Sequence, residues 1–448
     1  SAAAAGEAPT PPLPLDAASL VERLGSLCKK GGRDAEVQAA AEQLLGLLDG
    51  LPVSEVVPTL EKVLAGTQRR LARVPVLLEV VERLGDLVVA YADELSNLQL
   101  TAALHMFAVA GLPYHLLFEA VLLAVLGRHK AQGISWSQVV GVLEAFAAVR
   151  LRIPELSSLY SHLRQPPELA RLPTTALVRF LSAAARLELL DEARADVHEF
   201  VDRVLAETTP QRALPLESSA LLVQSLLLSG TVLKDRPFRH LMAWVVGTRV
   251  QHLTPQQLAV LRQYSLFLLA QPDEQARGSL LRLPVEVQSF LAGLLRHRAP
   301  ALVPATSDTT RRFRGEAAAA VGDATGEGDA APGVAAALAL GPAGAVDLRV
   351  GGRCWLLDGP EAFFRPFTAG LRHTPQEQRR GWLLGRLLGD ADTRRCVADF
   401  FPPAAAWPRL DGPARVNWLE WGRAAPGVRP SLLGLSAGGS GEAERLAS

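Results

Sequence analysis

The residues of this sequence best fitted to chemistry lie within its last hundred positions. Asp358 stands in Leu357-Asp358-Gly359-Pro360, with Phe363, Phe364 and Arg365 just beyond. A carboxylate beside a Gly-Pro turn can cap backbone amides, or it can be one ligand of a metal that activates water. Arg365, Arg372, Arg379, Arg380 and Arg386 follow. A guanidinium forks phosphate oxygens, so they are candidate RNA contacts, as is the short basic cluster Arg311, Arg312 and Arg314. Trp418, next to Leu419-Glu420-Trp421, offers a flat face on which a base can stack. The plainer reading gives solvated arginines and a small aromatic core.

One carboxylate cannot hold a metal and activate water alone, so Asp358 is read as structural, together with Gly359, Pro360, Phe363, Glu420 and Trp421. There is no GxGxxG, no Walker loop, no HExxH and no nucleophile elbow. His105, His115 and His129 lie on or beside apolar helices without metal-ligand spacing. Cys28, Cys354 and Cys396 are too few and too scattered for a disulfide framework, which suggests a reducing compartment. The sequence therefore predicts no catalytic residue, no cofactor, no metal and no small-molecule substrate.

Elements must hold these residues in place, and most of the chain is available for that. Hydrophobic residues make up 49% of 448, and no apolar run reaches membrane-spanning length. Residues 16–300 carry apolar positions at three- and four-residue steps, punctuated by Pro and Gly. Asp16 offers an N-cap for a helix through about Leu48, and Pro75 suits the first turn of another. From about residue 95 a start recurs at intervals of roughly forty residues: an apolar residue, then Pro or small polar residues, then an apolar helix. It is seen at Leu98, Ile134, Leu172, Leu214 and Leu253. A helix pair of this size cannot bury its own apolar face, so pairs must stack, and an α-solenoid is expected over 16–300.

Residues 1–15 read as a disordered N-terminus, the Ala/Pro remnant of a removed targeting peptide or an ordinary tail. Residues 301–345 turn Gly/Ala/Asp-rich and read as a flexible linker, with a short helix possible at Ala335–Leu340. Beyond it, Val346–Val350 and Arg353–Leu357 alternate as strands around Gly351-Gly352. An amphipathic helix is expected over Pro375–Leu388 behind a Thr374 cap, then a third strand at Val416–Trp421. Residues 346–430 thus form a small α/β domain, and 431–448 a polar tail.

Three elements in order carry a resemblance: Leu-Asp-Gly-Pro-x-x-Phe at 357–363, the Thr374 helix with Arg379-Arg380, and Val416-Asn417-Trp418-Leu419-Glu420-Trp421. Over residues 346–422 the sequence resembles the RAP domain of organellar RNA-associated proteins. The resemblance implies a restriction-endonuclease-like fold behind helical repeats, work on organellar RNA, and a mitochondrial or plastid location. It departs from the family at Leu356, where an acid is usual, and at Gln378 or Arg379, where a helical Lys is usual. An inactive member is therefore expected.

A lone nucleic-acid binder is usually basic, whereas this chain carries 46 Lys+Arg against 46 Asp+Glu. Neutrality suits a protein whose other faces meet proteins. The leading expectation is a non-catalytic component of the mitochondrial ribosome that binds or scaffolds rRNA among other proteins of the particle. The alternatives are a trans-acting factor for organellar transcript processing or stability, and a helical-repeat scaffold without RNA contact.

Overall fold

The computed structural model describes residues 16–71, 73–130, 135–164, 172–190, 195–207, 214–233, 237–239, 241–242, 254–271 and 281–296, with 335–339, 345–350, 353–358, 374–375, 378 and 393–397 beyond them. These residues are mostly helical, and the chain divides into two compact units, Ser1–Val149 and Arg150–Ser448.

The first unit contains α1 (Ala17–Lys29), α2 (Asp34–Leu45), α3 (Val53–Thr67), α4 (Pro75–Ala90), α5 (Asn97–Val109), α6 (His115–Lys130) and α7 (Trp136–Val149). Its helices stack in two layers. α1, α3, α5 and α7 pack in sequence on one another, α2, α4 and α6 do the same, and each of α1, α3 and α5 also touches the helix that follows it. This alternation is the stacking expected of helix-pair repeats, because each pair hides its apolar faces against the next. The most apolar of them is α7, in which Val139, Val140, Val142, Leu143, Phe146 and Val149 are all buried.

The second unit holds α8 (Glu155–Leu163), α9 (Thr174–Arg186), α10 (Ala195–Glu207), α11 (Leu216–Ser229), α12 (Pro255–Ala270) and α13 (Val285–Arg296). α9 packs on α11, α11 on α12 and α12 on α13, while α10 covers α9. Aromatic rings bridge neighbouring helices in both units: Phe118 meets Phe146 edge-on at 5.0 Å, and Phe180 lies between Tyr160 at 5.6 Å and Phe200 at 5.9 Å. Such pairs contribute roughly 0.5–1.5 kcal/mol beyond the area they bury.

Two of the recurring starts found in the sequence, Leu172 and Leu214, are where helices begin; Ile134 and Leu253 lie outside the described residues, and Leu98 lies exposed inside α5, whose start is three residues earlier at Leu95 because Ser96 is the N-cap. Leu95, Leu172 and Leu214 are buried, and the residues after them, Ser96, Pro173 and Pro215, cap α5, α9 and α11. A reciprocal Ser/Thr-x-x-Gln box closes three of the starts: Ser96 with Gln99, Ser135 with Gln138, and Thr254 with Gln257. The series also reaches upstream, to Asp16 before α1 and to buried Leu51 with Pro52 before α3. The expected single helix from Asp16 to about Leu48 is instead α1 and α2. Gly31 adopts φ 75 between them, and the Gly32 amide folds back on the Leu27 carbonyl at 2.8 Å. A glycine doublet there supplies the left-handed turn that ends a helix.

Second-layer arginines tie three of the pairs shut. Arg128 in α6 donates to the carbonyls of Leu95 at 2.9 Å and Ala92 at 2.7 Å, and to Asn97 Oδ1 at 2.7 Å. Arg203 in α10 donates to the Leu172 carbonyl at 2.8 Å, and Arg83 in α4 to Asp49 at 2.6 Å.

Four strands pair in the order β1 (Ala335–Ala339), β2 (Ala345–Val350), β3 (Arg353–Asp358), β4 (Thr393–Val397). β1–β2 and β2–β3 are antiparallel, and β3–β4 is parallel. β2 and β3 fall where alternation predicts strands. The Ala335 run is a strand and not the short helix its alanines favour, because it pairs antiparallel along β2, from Ala335 opposite Arg349 to Ala339 opposite Ala345. β4, Thr-Arg-Arg-Cys-Val, has too little alternation to be anticipated. Thr374 is buried and accepts the Gln378 amide at its carbonyl at 3.0 Å, as the start of the expected helix requires; residues 379–388 and 416–421 lie outside the described residues. Gln378 Nε2 also donates at 2.5 Å to Glu188, which follows α9 with φ 53, so this segment rests on the helices of its own unit.

Two expectations follow. A Cβ on Gly66 would come within 3.0 Å of the Gly25 backbone, whereas a Cβ on Gly25 meets nothing within 4 Å. Urea melts of the full chain will therefore show Gly66→Ala destabilising by about 1–3 kcal/mol through forced separation of α1 and α3. Gly25→Ala will stabilise by up to about 1 kcal/mol through helix propensity. Separately, Tyr114 donates to Asp86 at 2.5 Å, and burial first, then that bond and the Asp86 and Glu82 charges, push its phenol up to about 12. A folded value raised above the unfolded one near 10 gives stability that is complete below about pH 10 and lost toward pH 12. Tyr114→Phe will flatten that part of the stability–pH curve.

Candidate nucleic-acid interface

The first unit gathers basic residues along one edge. α1 closes with Cys28-Lys29-Lys30 before the Gly31-Gly32 turn. α3 closes at Thr67, whose hydroxyl donates to the Val63 carbonyl at 2.7 Å, and a single 3-10 turn, Gln68–Arg70, follows. The close approach of Gly25 and Gly66 brings α1 and α3 together. Arg70 then locks their ends: its Nη1 donates to the Gly32 carbonyl at 2.7 Å and pairs with Asp34 at 3.2 Å. Gln68 Nε2 donates to the Val109 carbonyl at 3.1 Å, adding the end of α5 to the same edge.

Lys29, Lys30, Arg33, Arg69 and Arg73 are all exposed around this lock. Residues 29–36 and 68–73 hold six bases against two acids, Asp34 and Glu36, and Arg70 already pairs with Asp34. Helix electrostatics accounts for part of the cluster, since cations near a helix C-terminus gain about 0.3–1 kcal/mol. It does not account for Arg33, which is the N-cap of α2, or for Arg73, just ahead of the Val74 N-cap of α4. At a helix start the dipole disfavours a cation. A ligand with several negative charges along its length gives such a set a use, and a phosphate backbone is one.

The residues singled out in the sequence are placed only in part. Asp358 closes β3 and is paired in register with Val397 of the parallel strand β4. Gly359, Pro360, Phe363, Glu420 and Trp421 lie outside the described residues. So do Arg311, Arg312, Arg314, Arg365, Arg372, Arg379, Arg380, Arg386 and Trp418. Arg69, Arg70 and Arg73 stand close together in the sequence after α3; their joining to Lys29, Lys30 and Arg33 is not visible there. The signal was the repeat itself. Once α1 and α3 are equivalent helices of successive pairs, their ends must be neighbours.

Among the described residues, no group of three or more His, Cys, Asp and Glu side chains is placed to hold a metal, and no helix is long and apolar enough to cross a membrane. Compared with known proteins, the chain matches no family model and no curated protein.

Cys28 lies half-buried at this edge. Burial pushes its thiol up and Asp34 adds to that, against the opposing pull of Arg70. The thiolate is the reactive form, so Cys28 will alkylate more slowly at pH 8.5 than a cysteine in a short unstructured peptide. Iodoacetamide labelling followed residue by residue by mass spectrometry checks this.

Proposed function

We propose that this protein is a non-catalytic, RNA-associated component of an organellar ribonucleoprotein, with the mitochondrial ribosome as its most concrete setting. The observation that carries the RNA reading is the basic edge of α1 and α3, with five exposed bases, two of them at helix starts where they do not serve helix stability. The stacked helix pairs favour a binding role, since they supply extended surface. The particle follows from neutrality: 46 bases are matched by 46 acids, which leaves faces suited to protein neighbours. The organelle, and an inactive RAP-like module over residues 346–422, rest on the resemblance of Leu357–Phe363 and Val416–Trp421 to that family.

The binding test uses the full chain and single-stranded RNA across a salt series. The wild-type affinity will fall steeply with salt. Replacing Lys30, Arg33, Arg69 and Arg73 by Ala will weaken binding and flatten the log–log slope by about 0.7 for each phosphate the variant leaves unneutralised. An unchanged slope would remove the edge from the interface. Co-sedimentation with ribosomal RNA from isolated mitochondria tests the particle, and a protein that stays at the top of the gradient rules out the ribosome.

A further inference from the structure

The second layer of the first unit carries a face of opposite character. The outward residues of α4 include Glu79, Glu82 and Asp86, with Arg83 as the one base of that helix. Arg83 is engaged by Asp49 at 2.6 Å and reaches Asp86 at 3.7 Å. α2 beyond its first turn and the turn after it add Glu42 and Asp49 with no base at all. Repulsion keeps a polyanion off this face.

Beside the acidic row lies an apolar one. α6 packs on α4, and Tyr114 at its head donates to Asp86, so the two helices are fastened where α6 begins. The inward side of α6 is buried through Leu117, Phe118, Val121, Leu122 and Val125. Its outward side carries Leu116, 57% exposed, and Leu123, 51%, with Ala120 between them and Glu119 beside it, 3.5 Å from His115 Nδ1. Leucines at positions i and i+7 with a small residue at i+4 form a straight stripe, the pattern that receives the apolar side of another helix.

We infer that the α4–α6 face docks an amphipathic helix of a partner protein. The helix's leucine-type side lies on Leu116, Ala120 and Leu123, and its Lys/Arg flank lies over Glu79, Glu82 and Asp86. Charge complementarity selects this occupant. A second copy of the chain has a cationic edge at the ends of α1 and α3, but neither helix carries an exposed large apolar side chain to lie on the leucines, whereas RNA has neither the apolar side nor the charge. The inference stands apart from the RNA reading, because it uses a different layer and different residues, and either can fail alone.

The test is fluorescence anisotropy of the full chain with a labelled 18-residue helical peptide carrying Leu at i, i+4 and i+7 and Lys along the adjacent stripe. A Glu-for-Lys version of the peptide is the control. The Lys peptide is expected to bind, and to weaken at least tenfold between 50 and 300 mM salt and at least tenfold with Leu123→Glu. The Glu79→Lys/Glu82→Lys variant is expected to reverse the preference toward the Glu peptide, a readout that a merely unfolded protein cannot give. Equal binding of both peptides, no binding of either, or concentration-dependent self-association abolished by Leu123→Glu would each overturn the proposal.

Discussion

Each helix pair has to solve one local problem before the arrays can exist. The residue just before a first-layer helix is apolar and buried, as at Leu95 and Leu172, and burial removes its carbonyl from water. An unsatisfied buried carbonyl costs roughly 1–3 kcal/mol, comparable to much of what one repeat gains by stacking. In two pairs the second helix supplies the donor. Arg128 and Arg203 reach back 33 and 31 residues to the carbonyls of those leucines. The tie fixes where the second helix lies along the first, and so fixes which apolar residues face the next pair. At α13, where Leu283 is buried in the same way, Gln288 of the helix itself does the work at 2.7 Å. Stacking, the alignment of helix ends and the surfaces those ends present all follow from this closure.

What the sequence discloses follows from how local each cause is. Helix starts depend on two or three adjacent residues, so Pro75, Pro173, Pro215 and Thr254 announce α4, α9, α11 and α12. Breaks are less visible. Gly31-Gly32 divides a region that apolar periodicity alone reads as one helix. First-layer helices end in the left-handed conformation at Gly111 and Gly230, but also at Arg150 and Glu188, where no glycine marks the spot. The Ala335 strand is hidden for a different reason: alanine favours helix locally, and only pairing along β2 overrides it. The arginine ties span more than thirty residues and cannot be found without knowing which helices are partners.

The same contrast governs the basic edge. Arginine is abundant throughout this chain, and abundance conceals role. The structure separates the arginines by their partners: Arg83, Arg128 and Arg203 are held by backbone carbonyls or carboxylates within the stack, and Arg70 by Gly32 and Asp34. Arg33, Arg69 and Arg73 remain exposed around that last lock. A cluster assembled from two chain segments 38 residues apart is a consequence of repeat packing and not of local composition.

Zero net charge then loses its force as an argument against a polyanionic partner. Charges interact through solvent over a screening length of about 8 Å at physiological ionic strength. α2 is 12 residues long, and at 1.5 Å per residue it spans roughly 18 Å, about two such lengths. The basic edge at the end of α1 and the carboxylates farther along α2 and α4 are therefore felt separately by anything large enough to touch only one of them. A partner reads the local potential and not the sum. Among the described residues, the first unit sets a basic edge apart from a row of carboxylates, so a chain with 46 bases and 46 acids presents two surfaces of opposite sign.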